Sequence, residues 1–256
     1  MSALRPWTAA ILVLAAACGG GNQATPSGPP ANAKRVDESK AGNLAGRVMI
    51  EGAVPANAAI KIEADPYCAQ QNPNGATFEH FVLNNGGLEN VFVYVKTGLD
   101  TYYFEAPNEP VKLDQQACRY RPHVLGVRVG QKLAISNSDD TVHNVHAMPN
   151  ANSEWNQGQA LKNMVNEKVF AAREVMVPFK CDVHNWMHAY VGVMDHPYFA
   201  VTHDGGGFEL KNLPAGTYTV EAWHEKLGTL TQSVTLAEKE SKTISFTFKA
   251  PAPGAN

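Results

Sequence analysis

From Gly42 onward, the chain is a series of short runs of β-branched and aromatic residues, and turns containing Gly or Pro separate these runs. Residues 91–95 (VFVYV) and 217–223 (TYTVEAW) are two examples. Frequent short strands of this kind are typical of β-sandwiches and β-barrels. The sequence therefore predicts an all-β fold, and the one stretch whose pattern allows a helix is residues 160–168.

The composition narrows the classes of protein to which this chain can belong. Of its 256 residues, 44% are hydrophobic, which is enough to bury a core and excludes a chain that is disordered throughout. The formal net charge is −3, so no basic surplus is present to neutralise phosphates, and we expect no nucleic-acid partner. No run of about 20 apolar residues is present, which argues against a transporter built from spanning helices.

The N-terminus has the pattern of an export signal. Arg5 is a short positive region, and residues 9–17 are apolar but too few to span a bilayer. Small residues before Cys18 resemble a bacterial lipoprotein signal, which predicts that residues 1–17 are removed and that Cys18 is lipidated. The alternative is a plain secretory signal cut near Ala17, which leaves Cys18 as a spare thiol.

Residues 18–41 are rich in Gly, Pro, Ala, Asn and Ser and show no periodicity, so we expect a flexible tether. Both interpretations of the N-terminus place the protein outside the cytoplasm, in the periplasm or at the cell surface, where disulfides persist. With a lipid anchor, it would be held on a bacterial membrane. Gly19 follows the cysteine where an acidic residue would argue for the inner membrane, and this favours the outer membrane.

Three cysteines remain after Cys18, and an odd count in an exported protein needs an explanation. The simplest partition is a disulfide between Cys68 and Cys118, with Cys181 reserved for another role. The segment around Cys181 indicates that role.

Residues 181–187 (CDVHNWM) place a thiolate, an imidazole and a thioether at the spacing C-x2-H-x2-M. Thiolate and thioether are soft donors that favour copper, and a trigonal His2Cys site with a weak axial Met is the blue-copper arrangement. Cys181, His184 and Met187 supply three of these ligands. The second histidine must come from elsewhere in the fold.

Residues 129–146 supply a candidate for that histidine, because their strand, Gly turn, strand and N-x-D-x-x-x-H-N-V string resemble the cupredoxins. The H-N-V-H string and the short loop are similar to amicyanin, whereas plastocyanin and pseudoazurin have a longer gap between His and Met. The resemblance covers about residues 110–200 and implies a Greek-key β-sandwich that holds one type 1 copper ion. By position, it implies the ligands His143, Cys181, His184 and Met187, with Asn144 tying the two ligand segments together.

Two ligand choices stay open at this stage. His146 competes with His143, since alternation along a strand cannot place both on one face. His188 competes with Met187 for the axial position, and the short-loop pattern favours Met187. A second copper site is a further alternative, and its candidate ligands are His123, His146, His188 and His196.

Residues 202–218 carry a second pattern, T-x-D-x-G-x-F-x-L-x-N-L-P-A-G-x-Y, which resembles the carboxypeptidase regulatory-like domain, a small transthyretin-like β-sandwich. Residues 42–48 resemble the opening strand of the same module. The copper domain is then inserted into, or packed beside, a sandwich built from both chain ends. The expected segments are 42–108 (part of the flanking sandwich), 109–200 (copper domain), 201–250 (the rest of the flanking sandwich) and 251–256 (tail).

A copper with four protein ligands has no free position for a substrate, so we expect an electron carrier and not an enzyme. In the resembling family, electrons leave through the ring edge of the second histidine, here His184. We expect a surface of Asn185, Trp186, Met148 and Pro149 around it, and a redox partner such as a c-type cytochrome or a membrane oxidoreductase. A copper chaperone or store would use the same residues. The alternative from another class is a carbohydrate-binding or scaffold module with a structural or degenerate copper site, with candidate stacking residues Trp223, Tyr218, Tyr102 and Tyr103.

Overall fold

The computed structural model describes residues 32–252, and nearly all of its regular structure is β, so the predicted fold class is confirmed. The signal segment and Cys18 lie outside the described residues. Within them, one short α-helix, α1 (Pro66–Gln71), is present, and no helix is long and apolar enough to cross a membrane. The strands are β1 (Gly42–Glu51), β2 (Leu83–Asn84), β3 (Gly87–Leu88), β4 (Phe92–Thr97), β5 (Val111–Gln116), β6 (Arg119–Arg121), β7 (Val124–Arg128), β8 (Lys132–Asn137), β9 (His143–Ala147), β10 (Trp155–Gln159), β11 (Val165–Val169), β12 (Glu174–Lys180), β13 (His188–Met194), β14 (Phe199–Val201), β15 (Gly207–Leu213), β16 (Gly216–His224), β17 (Gly228–Leu236) and β18 (Ser241–Lys249).

Strands β5 to β13 form the middle sandwich. One sheet has the order β10-β9-β12-β13-β7 and the other has the order β11-β8-β5-β6. Alternate residues of the two sheets face each other, as the burial of Leu133 and Ile135 in β8 shows, and they close one hydrophobic core. The first of these sheets pairs β9 with β12, and this pairing positions the candidate metal ligands.

The helical interpretation of residues 160–168 is wrong. A turn at residues 161–163 leads into β11, which pairs with the edge of β8 from Val165↔Ser136 to Val169↔Lys132. Cross-strand pairing at a sheet edge outweighs the weak helical preference of so short a segment.

Both ends of the described chain meet in the flanking sandwich. Strand β1 pairs antiparallel with β15 and parallel with β18 in one sheet, which also contains β3 and β2. The second sheet has the order β14-β4-β16-β17. Gly205 and Gly206 form the turn before β15 with φ of 85° and 83°, a backbone conformation that glycine adopts without strain.

The two sandwiches pack through aromatic rings against glycines. Phe92 of β4 and Phe199 of β14 lie over Gly126 of β7 and Gly192 of β13, and a Cβ at either glycine would overlap a ring. Because the glycines have no side chain, the flanking sandwich can closely approach the backbone of the sheet that contains β7 and β13. The interface cluster also buries Tyr94, Val124, Met176 and Met194.

Residues 60–72, which we call the strap, leave the flanking sandwich and pack on the middle one. Ile60, Ile62 and Cys68 of the strap belong to the core of the middle sandwich. The predicted disulfide is confirmed, since Cys68 in α1 is bonded to Cys118 in the turn between β5 and β6. The strap is therefore fixed both covalently and by burial, directly beside the candidate metal site.

Candidate metal centre

A tight loop between β12 and β13 presents the C-x2-H-x2-M residues. The Cys181 N–H donates to the Met187 carbonyl at 3.1 Å, and the Met187 N–H donates to the His184 carbonyl at 2.9 Å. These bonds curl the loop so that Cys181, His184 and Met187 are buried, while Asp182 and Val183 face solvent. The three soft or borderline donors thus point into the protein, as a closed metal site requires.

His143 reaches the same point from the first position of β9. That strand pairs with β12 through Ala147↔Phe179 and His146↔Lys180, which places its start beneath the loop. The Nδ1 atoms of His143 and His184 lie 2.9 Å apart, and His184 Nδ1 lies 3.9 Å from Cys181 Sγ. The ligand atoms of the two histidines and Cys181 all lie within 4.8 Å of one another.

The competing ligands lie elsewhere. The His146 ring contacts Asp182 at 3.0 Å and Glu154 at 2.7 Å, on the outer face of the sheet. The His188 side chain is half-buried and lines a small surface pocket together with His80 and His123. His143 therefore takes the inner position, and Met187 is the residue of the pair 187–188 that is buried in the core with Cys181.

The sulfur of Cys181 is held as a thiolate. Its neighbours include the His184 N–H, which donates to Sγ at 3.4 Å. Burial by itself would raise the pKa of this thiol, but its contacts with the His143 and His184 side chains outweigh that effect and lower the pKa to about 6. A thiolate is the form of cysteine that binds metal.

Each of the two imidazoles is tied to a carboxylate through its other nitrogen. His143 Nε2 lies 2.9 Å from Asp139 Oδ2, and His184 Nε2 lies 3.2 Å from Asp65 Oδ2. An Nε2–H that donates to a carboxylate leaves the Nδ1 lone pair free for a metal. Both Nδ1 atoms therefore face the same point beside the thiolate.

The charge of His143 agrees with a site built for a cation. Burial would lower the pKa of His143, but hydrogen bonds to Asp139 and Cys181 raise it to about 8. Without a metal, a proton on His143 Nδ1 relieves the repulsion between two lone pairs that lie 2.9 Å apart. Two nitrogens bound to one ion at about 2 Å each lie roughly 3 Å apart, so the observed spacing also fits a metal.

The donor set itself fits copper. A thiolate and two imidazoles gathered around one point, with a thioether buried in the same core, are the ligands of a blue-copper centre. Two other groups of close donor atoms occur among the described residues, but each includes a sulfur of the Cys68–Cys118 disulfide, which is no longer a thiolate.

Asn144 ties the two ligand segments together. Its Oδ1 accepts the Asp182 N–H at 2.7 Å, and its Nδ2 donates to Asp182 Oδ2 at 3.1 Å. Asn144 directly follows His143, and Asp182 directly follows Cys181. The two contacts of Asn144 with Asp182 therefore join the strand that carries His143 to the loop that carries Cys181. Such contacts hold the geometry of a metal site.

A second copper site does not assemble in the described part of the chain. His123 Nδ1 contacts the His188 carbonyl, His196 Nε2 contacts the Val95 carbonyl, and the His146 ring contacts Asp182 and Glu154. No group of close donor atoms among the described residues includes any of the four candidate histidines.

The expected exit surface is covered. The His184 ring is only 3% exposed, because the strap lies over it: Cys68 Sγ is 3.7 Å from His184 Nε2 and Asp65 is within hydrogen-bonding distance. Trp186 is turned toward the same disulfide and donates from Nε1 to the Cys118 carbonyl at 3.1 Å. The ring edge of His184 is thus not the open surface that the cupredoxin resemblance implies.

Asp65 and Asp139 are the site residues that sequence reasoning missed. Asp139 lies inside the N-x-D-x-x-x-H string, four residues before His143, so its proximity was visible in the sequence. Asp65 directly precedes Pro66 and has the pattern of a helix N-cap, but nothing local connects it to His184, which is 119 residues away.

The aromatic residues considered for sugar stacking divide into two pairs. Tyr218 is buried, with its hydroxyl donating to the Pro214 carbonyl, and Trp223 packs on Tyr190 at the junction of the sandwiches. Tyr102 and Tyr103 line a cleft of about 550 Å³ between the two sandwiches, so only this pair is placed near a space that a ligand could enter.

Comparison with known proteins gives likenesses among solved structures only: no family model and no curated protein matches the chain. A mutant of amicyanin in its reduced form is 21% identical with a TM-score of 0.31, and the match covers 35% of this chain and 86% of that chain. A second amicyanin mutant, in its reduced Cu(I) form, is 23% identical with a TM-score of 0.30 over 35% of this chain and 86% of that chain. A purple cupredoxin from Nitrosopumilus maritimus is 20% identical with a TM-score of 0.29, over 32% of this chain and 98% of that chain. Likenesses this low carry no conclusion about function, which the side chains of the site must supply.

Proposed function

We propose that this protein is a blue-copper electron carrier that binds one copper ion through His143, Cys181, His184 and Met187. The observation that carries the proposal is the convergence of His143 Nδ1, His184 Nδ1 and the Cys181 thiolate, with both Nε2 atoms occupied by carboxylates. In this arrangement both Nδ1 atoms and the thiolate face one point, where a bound cation would meet all three.

The closed surroundings of the site support a carrier over an enzyme. All four ligand side chains are at most 3% exposed, and the strap covers the one that cupredoxins leave accessible. A catalytic metal needs an open position for substrate, whereas electron transfer needs only a fixed geometry. Bound copper supplies reversible one-electron chemistry, and Asn144, Asp139 and Asp65 hold the ligands in place for it.

The proposed setting is outside the cytoplasm. The buried Cys68–Cys118 disulfide supports an oxidising compartment, and the N-terminal pattern supports export and lipidation at Cys18. We propose that the lipid holds the protein on a bacterial membrane and that residues 18–41 let it reach a partner such as a c-type cytochrome or a membrane oxidoreductase. Contacts between redox partners are usually small, so the affinity is expected to be weak.

Copper loading of the purified protein tests the proposal. Cu(II) is expected to bind at one equivalent and to produce an intense visible thiolate-to-copper band with the narrow hyperfine splitting of a type 1 site. Cys181→Ser removes the thiolate and should abolish the band, whereas Val183→Ala, an exposed change in the same loop, should leave it. A wild-type protein that stays colourless, or binds copper without the thiolate band, would contradict the assignment.

A second function, carbohydrate binding, is favoured by one observation, the cleft beside Tyr102 and Tyr103. Aromatic faces on such a cleft can stack on sugar rings. Affinity electrophoresis in soluble polysaccharides checks this function, with the Tyr102→Ala/Tyr103→Ala variant as the control. Retardation of the wild type but not of the variant supports carbohydrate binding. Equal mobility of both proteins in all gels contradicts carbohydrate binding, and electron transfer is then the one function proposed.

A further inference from the structure

We infer that Asp65 is a positioning residue for the metal ligand His184, and that it stabilises the oxidised form of the centre by holding a negative charge against the far side of that ring. The inference rests on the proposed copper function. It concerns a residue of the strap, outside the sandwich that carries all four ligands.

The position of Asp65 is determined by the local chain. Asp65 is the N-cap of α1, and its Oδ1 accepts the Cys68 N–H at 3.0 Å. Pro66 follows at the first helical position and restricts the backbone there. With Oδ1 occupied, Oδ2 is the oxygen that faces His184 Nε2 at 3.2 Å.

The disulfide holds the strap against the ring. Cys68, three residues after Asp65, is bonded to Cys118, and both are fully buried. Asn72 adds a hydrogen bond from its Nδ2 to the Ala117 carbonyl at 3.1 Å. The carboxylate of Asp65 therefore has a fixed anchor and does not depend on a mobile surface loop.

The same disulfide organises the carboxylate of the other imidazole. Asp139 accepts the Cys118 N–H at 2.7 Å and the Ala117 N–H at 2.8 Å, and its Oδ2 lies 2.9 Å from His143 Nε2. One covalent link thus joins the two segments whose carboxylates face the two imidazoles. The symmetry of this arrangement argues that the contact of Asp65 with His184 is part of the centre and not an incidental surface pairing.

The chemical effect follows from the charge. A carboxylate that accepts the Nε2–H fixes the tautomer of the ring and makes Nδ1 a stronger donor. Stronger donation and the added negative charge favour the more positive oxidation state of a bound ion. Rotation of the ring would break the contact with Asp65 and press on the disulfide, so the ring is also held in one orientation.

Asp65→Asn in the full chain tests the inference, because Asn still caps a helix but has no charge. With copper bound, the ratio of oxidised to reduced protein at a fixed applied potential is expected to fall about tenfold, which is 59 mV for a one-electron couple. Glu63→Gln, an exposed change of the same charge on the same strap, should leave the ratio unchanged. Asp65→Glu should return it toward the wild-type value.

Equal effects of Asp65→Asn and Glu63→Gln, or no effect of Asp65→Asn on a protein that still shows the thiolate band, would overturn the inference while leaving the copper function in place. A wild type that binds no copper would end the copper function itself. The metal-free wild type supplies a further readout if the variant does not fold: nitrogen NMR of the His184 ring should show a hydrogen on Nε2 in a hydrogen bond. A bare Nε2 would count against the role of Asp65.

Discussion

Glu225, which directly follows β16 of the flanking sandwich, lies 2.6 Å from the Nε2 of His123, which directly precedes β7 of the middle sandwich. The second oxygen of Glu225 contacts His80 at 3.0 Å and accepts the Tyr190 hydroxyl at 3.2 Å. A carboxylate that is nearly inaccessible to solvent therefore joins the two sandwiches through three partners. The junction is thus polar at this point and aromatic around Phe92.

The first prediction concerns this carboxylate. Burial raises the pKa of Glu225, but hydrogen bonds from His123 and His80 outweigh it and hold the pKa well below its usual range. A carboxyl whose folded pKa is lowered contributes stability above its unfolded value of about 4.5, and this contribution is lost as the pH falls below that value. Glu225→Gln should therefore lower the free energy of unfolding by about 1–3 kcal/mol at pH 7, and the difference should shrink in acid.

Denaturant unfolding at pH 7 and at about pH 3, well below the ordinary pKa of a glutamate, measures this effect. Glu238→Gln is the matched control, because that carboxylate pairs with Lys40 while both are more than half exposed. Its change should stay within about 0.5 kcal/mol at either pH. A loss for Glu225→Gln that is the same at both pH values would contradict the assigned cause.

The second prediction concerns the disulfide. Replacing both Cys68 and Cys118 with Ser should lower the free energy of unfolding by about 2–5 kcal/mol, because the unfolded chain regains the freedom of a 50-residue loop. The thiolate-to-copper band should persist, since Cys181 is untouched. Unfolding curves and copper spectra of the double variant check both parts, and loss of the band with an intact fold would show that the strap supplies more than position.

The third prediction concerns Asn144. Asn144→Ala removes two contacts to Asp182 and should weaken the link between the His143 strand and the Cys181 loop by about 1–3 kcal/mol. We expect copper to be lost 10–100-fold more readily to a chelator. Asn185→Ala, an exposed change in the same loop, serves as the comparison. Similar copper retention in both variants would contradict the role of the Asn144 contacts with Asp182 in holding the two ligand segments together.

The fourth prediction concerns the packing of the two sandwiches. A Cβ at Gly192 would overlap the ring of Phe92, so Gly192→Ala should cost about 1–3 kcal/mol through overpacking. Gly158 lies in edge strand β10 with no atom near its Cβ position, and Gly158→Ala should change stability by no more than about 0.5 kcal/mol. Thermal unfolding of the pair measures the difference, and equal melting temperatures would mean that the sandwiches do not pack as closely as described.

Local pattern was sufficient for the features that lie within a few residues of one another. Runs of β-branched and aromatic residues between Gly or Pro turns predicted the strands, and the odd cysteine count predicted the disulfide, which the structure confirms. Residues 160–168 show the limit of this reasoning, because a weak helical pattern gave way to pairing with the edge of β8. The expectation of an exposed His184 edge also failed, since the covering strap comes from more than 100 residues earlier in the chain.

By itself, the sequence determined the all-β class, the identity of the pair Cys68 and Cys118, and the spacing of Cys181, His184 and Met187 in one loop. These features depend on neighbouring residues or on simple counts, which a linear chain displays directly. Only the tertiary structure decided that β1 pairs antiparallel with β15 and parallel with β18, that His143 and not His146 faces the loop, and that Asp65 and Asp139 each meet an imidazole. The physical reason is that these contacts join residues on different elements, and their positions are set by packing, strand register and a disulfide across the whole fold.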